Sequence, residues 1–288
     1  MVACQDLSRA MKWARTELDS GRLILKRQSI TPWSATAQVE TSTGVYWIKI
    51  SVLPDRDTES KILTAAHDRR LTGVPRLVGC EPELGVVILE DVPQSAVSGI
   101  DDESIFELRN IICTELAKPC EAMEIPLISA RECAETIVRT CRSYSGGWLD
   151  AGLAALLEAK LQDSTDLFDS VDASLEGPLE LVHGDFHLGN ILFSAEAGPI
   201  FIDWADARLG TAHWDYATYA SCSTTLVPPS RERARYSLLA GLKGLADLVR
   251  TPVPGPSDRC TISLPQVREH IAKIGRTVLH SVSMIEER

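Results

Sequence analysis

The stretch His183-Gly184-Asp185-Phe186-His187-Leu188-Gly189-Asn190 is followed, thirteen residues after Asn190, by Asp203 in Phe201-Ile202-Asp203-Trp204. Between Asn190 and Asp203 lie two short apolar runs, Ile191–Phe193 and Ile200–Ile202, separated by Ser194 to Pro199. Runs this short around a polar turn with Gly and Pro predict a β-hairpin. A hairpin brings its two ends together, so it sets Asn190 and Asp203 side by side. The chain enters this segment from another short apolar run, Leu179 to Val182.

A carboxylate, an amide five residues on and a second carboxylate after a hairpin recur where a nucleotide's terminal phosphoryl group is moved. The first Asp orients an acceptor hydroxyl and takes its proton, while the Asn and the second Asp hold metal ions that bridge the phosphates. Positioning and electrostatics do most of that work. Protein kinases carry H-R-D-x-x-x-x-N and then D-F-G. This chain has His183-Gly184-Asp185 and Asn190 at the same spacing, then Asp203-Trp204-Ala205. With Gly for Arg and Ile-Asp-Trp for D-F-G, these residues resemble the aminoglycoside phosphotransferase and choline kinase superfamily. Those are small-molecule kinases with a protein-kinase-like fold. The missing Arg argues against switching by activation-loop phosphorylation. Asp215 follows Asp203 by only twelve residues with no A-P-E between, which leaves little room for a peptide-binding segment and disfavours a protein kinase.

The resemblance implies an α+β, bilobal protein-kinase-like fold. Its N-lobe (1–92) holds the nucleotide on a small antiparallel sheet with one main helix. Its larger, mainly helical C-lobe (93–288) carries catalysis and the acceptor. The chain fits that division. Residues 1–92 read as strand-rich, with Leu23–Ile30 and Gln38–Ile50 as β-branched and apolar runs and Ser42-Thr43-Gly44 as a turn. Helical spacing over Arg56–Arg70 comes next, then Arg76–Gly79 and Val86–Leu89 around Glu81-Pro82-Glu83-Leu84-Gly85. After Glu90-Asp91-Val92-Pro93, helices are expected from Asp101 through Leu116 and over 129–142, 150–161, 231–250 and 265–287. Loops are expected at Gly146-Gly147, Leu226–Ser230 and Thr251–Pro256.

In kinase-like folds a strand Lys grips the phosphates and a helix Glu holds it. Lys49 in Val45-Tyr46-Trp47-Ile48-Lys49-Ile50 is the candidate Lys, since an unpaired ammonium in an apolar run is costly. Glu59, on the following helix, is its expected partner. The phosphate-covering loop is expected at Ile30 to Ala37, which contains no glycine; Ser34 and Thr36 offer hydroxyl donors among small residues. Glu90 and Val92 stand where the resemblance places the nucleobase-binding hinge. Asp185 is read as the hydroxyl-orienting base, and Asn190 and Asp203 as oxygen ligands suited to Mg²⁺. His183 and His187, four apart, are no helical metal pair, because Gly184 and Gly189 break a helix. His183 is expected to tie the loop by packing and hydrogen bonds. The segment Gly210-Thr211-Ala212-His213-Trp214-Asp215 resembles the family's G-x-x-x-x-D, which makes Asp215 a buried acceptor for catalytic-loop amides. Asp206 reads as a solvated loop residue.

Composition narrows the partners. The net charge of −11 is uneven: residues 1–92 hold 12 acidic and 12 basic side chains, and residues 93–288 hold 28 and 17. An acidic acceptor half attracts a cationic small molecule and repels nucleic acid. No apolar run approaches membrane-spanning length, and Met1 to Asp6 lacks the pattern of a signal peptide. Eight scattered cysteines with no C-x-x-C pair fit reduced thiols in the cytoplasm. The reading is therefore a Mg²⁺-dependent O-phosphotransferase, a monomer or homodimer. It uses ATP or GTP on a small cationic hydroxyl compound such as an antibiotic, in resistance or self-protection. A metabolic kinase for an amino alcohol, sugar or ketosamine is the nearest alternative. A silent nucleotide-binding pseudokinase module is the alternative of another class, and it sits poorly with Lys49, Asp185, Asn190 and Asp203 all present.

Overall fold

The computed structural model describes residues 2–51, 55–93, 101–142, 148–175, 177–223, 230–250 and 264–286. Helix α1 (Val2–Glu17) opens the chain, followed by strands β1 (Ile24–Ile30), β2 (Ser34–Glu40) and β3 (Val45–Ser51). Helix α2 (Thr58–Asp68) precedes β4 (Leu77–Glu81) and β5 (Val86–Glu90). Helices α3 (Asp102–Ala122), α4 (Ala130–Arg142), α5 (Ala151–Asp163) and α6 (Thr165–Ala173) come next. Strands β6 (Glu180–Val182), β7 (Ile191–Ser194), β8 (Gly198–Phe201) and β9 (Arg208–Gly210) follow, and α7 (His213–Cys222), α8 (Ser230–Arg250) and α9 (Leu264–Glu286) end the described chain. The fold is α+β, in two compact units. The first holds the described residues of 1–124 and 189–207; the second holds those of 125–188, 208–253 and 263–288.

In the first unit five antiparallel strands run in the order β1-β2-β3-β5-β4. Strand β2, Ser-Ala-Thr-Ala-Gln-Val-Glu, alternates strictly, with Ala35, Ala37 and Val39 buried and the polar residues between them half-buried. That period of two puts its apolar side against α1. There Leu7, Ala10 and Ala14, one helical face, pack with Val39, Ile48, Ile50, Val86 and Ile88. Each fully buried aliphatic side chain contributes about 1.5–3 kcal/mol. A charge at Ala10 would break this layer. Lys49 lies on the opposite face of the sheet, the side of Thr36 and Val87, its neighbours across the ladder. Hairpin β7–β8 belongs to the same unit and pairs Ile191 with Phe201; Ile202 N–H donates to the Asn190 carbonyl at 2.9 Å.

The second unit is mainly helical. Helix α4 buries Ala130, Cys133, Ala134, Ile137 and Cys141, and Asp172 caps its start by accepting from the Ala130 and Arg131 amides at 2.7 and 3.2 Å. Leu238, Leu239, Leu242 and Leu245 of α8 are buried, as are Ile271, Val278 and Val282 of α9. The ribbon β6–β9 pairs Leu181 with Leu209 and delivers the chain into His183-Gly184-Asp185.

Three local expectations change. Helices α1, α6 and α7 and strand β9 join the elements drawn from the sequence. The low hydrophobicity of α1 and the short length of the others hide them behind stronger neighbouring signals. The expected phosphate loop, Ile30 to Ala37, is mostly strand. Its turn is confined to Thr31–Trp33, where the Thr31 hydroxyl accepts from the Trp33 and Ser34 amides at 3.3 and 2.9 Å. Ser34 and Thr36 are therefore strand residues. The loops expected at 146–147, 226–229 and 251–256 lie outside the described residues, and Ser230 already begins α8.

Candidate active site

In the first unit, Lys49 of β3 is the meeting point of three segments. Its ammonium lies 2.7 Å from Glu59 Oε2 of α2 and 2.5 Å from Asp203 Oδ1 after β8. The Lys49 and Glu59 side chains are 8 % and 4 % exposed, and Asp203 is 43 % exposed. The other Glu59 oxygen accepts from the Trp204 amide at 3.2 Å. Trp204, itself buried, donates its indole N–H to the Phe201 carbonyl at 2.8 Å. Helix α2 is thus tied to the turn that carries Asp203.

Asp203 adopts the left-handed conformation, φ 69°, ψ 62°. Non-glycine residues reach it at some cost, Asp more readily than most. Asn190 is buried at the start of β7, at the same open end of the hairpin, where its carbonyl accepts from the Ile202 amide next to Asp203.

The charges at Lys49 act on one another. Burial pushes the Lys49 ammonium down, but the Asp203 and Glu59 carboxylates outweigh it and raise its pKa above the ordinary lysine range. Burial raises the Glu59 carboxyl; Lys49 opposes and Asp203 adds, and the net direction is upward. One ammonium between two carboxylates leaves surplus negative charge beside two hard oxygen donors, Asp203 and Asn190. That donor set fits Mg²⁺. A Mg²⁺ ion held by these two residues would complete its shell with phosphate or water oxygens.

In the second unit, the Asp215 carboxylate of α7 accepts from the His183 amide and the Gly184 amide, each at 2.9 Å and all buried. Gly184 has φ +85°, a conformation that favours glycine. His183 is buried, packs on Phe186 with ring centroids 5.8 Å apart, and its Nδ1 accepts from the Asp185 amide at 3.4 Å. His187 Nε2 lies 3.5 Å from Asp185 Oδ2. Burial raises the Asp185 carboxyl, but the hydrogen bond and charge of His187, then His183 and Lys243, bring it down to about 2. Asp185 is therefore ionised at any physiological pH, with a side chain 42 % exposed.

A profile described as the phosphotransferase enzyme family matches residues 8–250. The chain belongs to the phosphotransferase enzyme family. It is a phosphotransferase. No curated protein matches it in sequence. Among solved structures, the phosphotransferase is similar to the choline kinase LicA from Streptococcus pneumoniae, with TM-score 0.59 and 15 % identity over 96 % of this chain and 99 % of that one. It is also similar to an ethanolamine kinase from Plasmodium vivax, with TM-score 0.57 and 15 % identity over 94 % and 85 %. A spectinomycin phosphotransferase in complex with ADP and spectinomycin matches with TM-score 0.51 and 10 % identity over 95 % and 98 %. At such identities the likeness establishes the fold, that of small-molecule kinases. Among the described residues no helix of the phosphotransferase is long and apolar enough to cross a membrane.

Of the other sequence-predicted residues, Glu90 ends β5, exposed and 3.1 Å from Arg76, and Val92 follows it half-buried. Asp206 is half-buried in the turn after Asp203. Sequence reasoning left three features undrawn. They are the contact of His187 with Asp185; the buried Lys243 of α8, ion-paired with Asp247 one turn on; and the tie of Trp47 and Gln38 to Asp91. The Lys243–Asp247 spacing was visible; its influence on Asp185 depends on tertiary packing.

Proposed function

We propose that the phosphotransferase moves the γ-phosphoryl group of ATP or GTP to a hydroxyl of a small cationic molecule. The observation that carries this reading is Lys49, buried between Glu59 and Asp203. A buried lysine bridging a helix carboxylate and a second carboxylate at a hairpin end is the arrangement that grips nucleotide phosphates in kinase-like enzymes. Residues 1–92 hold the nucleotide in this account, with Ser34 and Thr36 on the phosphate side and the backbone at Glu90 and Val92 beside the base. Residues 93–288 supply the catalytic loop and the acceptor.

Asp185 accepts a hydrogen bond from the acceptor hydroxyl and aligns its oxygen. That oxygen bonds to the γ-phosphorus, the bond to the β–γ bridging oxygen breaks, and a nucleoside diphosphate leaves. The hydroxyl proton passes to Asp185 late, since a carboxyl at about 2 is a weak base and a loose transition state asks more for alignment than for basicity. Asn190 and Asp203 would hold Mg²⁺, which would offset negative charge on the phosphates. Asp215 and His183 hold the loop backbone that presents Asp185.

The acidic balance of residues 93–288 favours a cationic acceptor over nucleic acid. An aminoglycoside-type antibiotic, in resistance or self-protection, is the first choice. An amino alcohol is the second, favoured by likeness to a choline kinase and an ethanolamine kinase. Cytoplasmic residence is part of the proposal, supported by the free thiols of Cys80, Cys120, Cys141 and Cys222.

The test is mass spectrometry of aminoglycosides, choline, ethanolamine and sugars incubated with enzyme, Mg²⁺ and ATP or GTP. A product heavier by one phosphoryl group, absent with Asp185→Asn, supports the reading. Neutral sugars as sole substrates would refute the cationic acceptor.

A further inference from the structure

We propose that Trp47, Gln38 and Asp91 form a side-chain reader of the nucleobase that selects guanine over adenine, so that GTP is the preferred phosphoryl donor. This rests on the nucleotide site proposed at Lys49.

Lys49 stands opposite Thr36 and Val87, and Trp47 stands opposite Gln38 and Leu89. Directly paired residues share a face, as do residues two apart on one strand. Trp47, Gln38 and Leu89 therefore lie on the Lys49 face, away from α1. The Asp91 amide donates to the Val45 carbonyl at 3.1 Å, which continues the β3–β5 ladder one step. Asp91, two residues past Leu89, points to the same face. Val87 marks the Lys49 position on β5, and four residues of strand to Asp91 span about 13 Å. That is the length scale of a nucleotide from its phosphates to its base.

The chemistry at that corner is specific. The Trp47 indole N–H donates to Asp91 Oδ1 at 2.6 Å, and the Gln38 side-chain amide donates to the same oxygen at 3.0 Å. Two donors on one oxygen fix the carboxylate, and Oδ2 remains to accept from the base in this proposal. The same bond fixes the indole, whose face offers a stacking surface to any base. An ionised carboxylate only accepts. Guanine presents two adjacent donors on its Watson–Crick edge, N1–H and the N2 amino group. Adenine presents one amino group next to the N1 lone pair, which faces a carboxylate unfavourably. A fixed acceptor therefore attracts one base and repels the other.

The experiment is calorimetric titration of the full chain with Mg²⁺ and the non-hydrolysable imido analogue of GTP or of ATP, which needs no acceptor. The guanine analogue is expected to bind about ten-fold tighter or more, the discrimination of a well-placed polar pair. In Asp91→Asn, Oδ1 still serves Trp47 and Gln38 but an amino group replaces Oδ2, so the preference should fall to parity or reverse. Asp91→Ser, which removes the carboxylate outright, should also lose it, and thermal unfolding checks that both variants fold. Tighter or equal binding of the adenine analogue by the wild type overturns the inference while leaving the kinase reading intact, as does a guanine preference that survives in both variants. Binding of neither analogue overturns the nucleotide site itself, and the inference with it.

Discussion

Replacing Lys49 by Met keeps the length and packing of the side chain but removes the charge that Glu59 and Asp203 share. Glu59 is almost wholly buried, so it feels the loss fully; Asp203 is 43 % exposed and is partly screened by water. Breaking a buried pair by removing one partner costs about 3–5 kcal/mol, and the screened Asp203 argues for the lower end, about 3 kcal/mol at pH 8. At about 2–4 °C per kcal/mol for chains of this size, the melting temperature falls by roughly 6–12 °C. The deficit depends on pH. Without Lys49, burial and Asp203 raise the Glu59 carboxyl above its ordinary value of about 4.3. The folded variant then holds a proton that the unfolded chain has lost, so its stability falls as pH rises through that window and is best preserved below it. Thermal unfolding followed by circular dichroism at pH 5 and pH 8 measures both effects. The double variant Lys49→Met, Glu59→Leu should recover most of the loss. A single variant as stable as the wild type at pH 8, or a deficit that ignores pH, would refute the electrostatic account of this cluster.

Asp215→Asn turns an amino group toward one of two buried amides that now donate to a carboxylate. It should cost about 3 kcal/mol, seen as a lower melting temperature, and slow phosphoryl transfer more than it weakens nucleotide binding. Asp185 has a depressed pKa, about 2. Its ionised form therefore stabilises the fold fully above about pH 4, and the contribution is lost as pH falls toward 2. Asp185 should therefore place no acid limb above pH 4 on kcat/KM, which reports the free enzyme, and His187→Asn should move the Asp185 titration upward in carboxyl NMR. Burial pushes the Cys120 thiol up to about 12, so it should resist iodoacetamide at pH 8 in the folded protein while the exposed Cys222 reacts.

Much of this was legible in sequence because the informative residues are close in the chain. The hairpin that joins Asn190 to Asp203 follows from two apolar runs and a turn, and the sheet around Lys49 follows from β-branched strands. What escaped depends on distant pairing. Ser34 to Ala37 reads as a loop because its residues are small and polar, yet alternation commits it to β2 once α1 supplies an apolar layer for Ala35, Ala37 and Val39. Helix α1 has the spacing of Leu7, Ala10 and Ala14 but little hydrophobicity. The hold of Trp47 and Gln38 on Asp91 bridges 44 and 53 residues, a separation that no local pattern encodes.

The central claim is that Asp203, beside Lys49 and Asn190, engages nucleotide phosphates through a metal ion. Calorimetric titration of wild type and Asp203→Asn with ADP and GDP, with and without Mg²⁺, tests it directly. The account predicts that Mg²⁺ tightens binding of at least one diphosphate to the wild type, and that the variant loses this metal effect while still folding. Diphosphate affinity that ignores both Mg²⁺ and the substitution would contradict it.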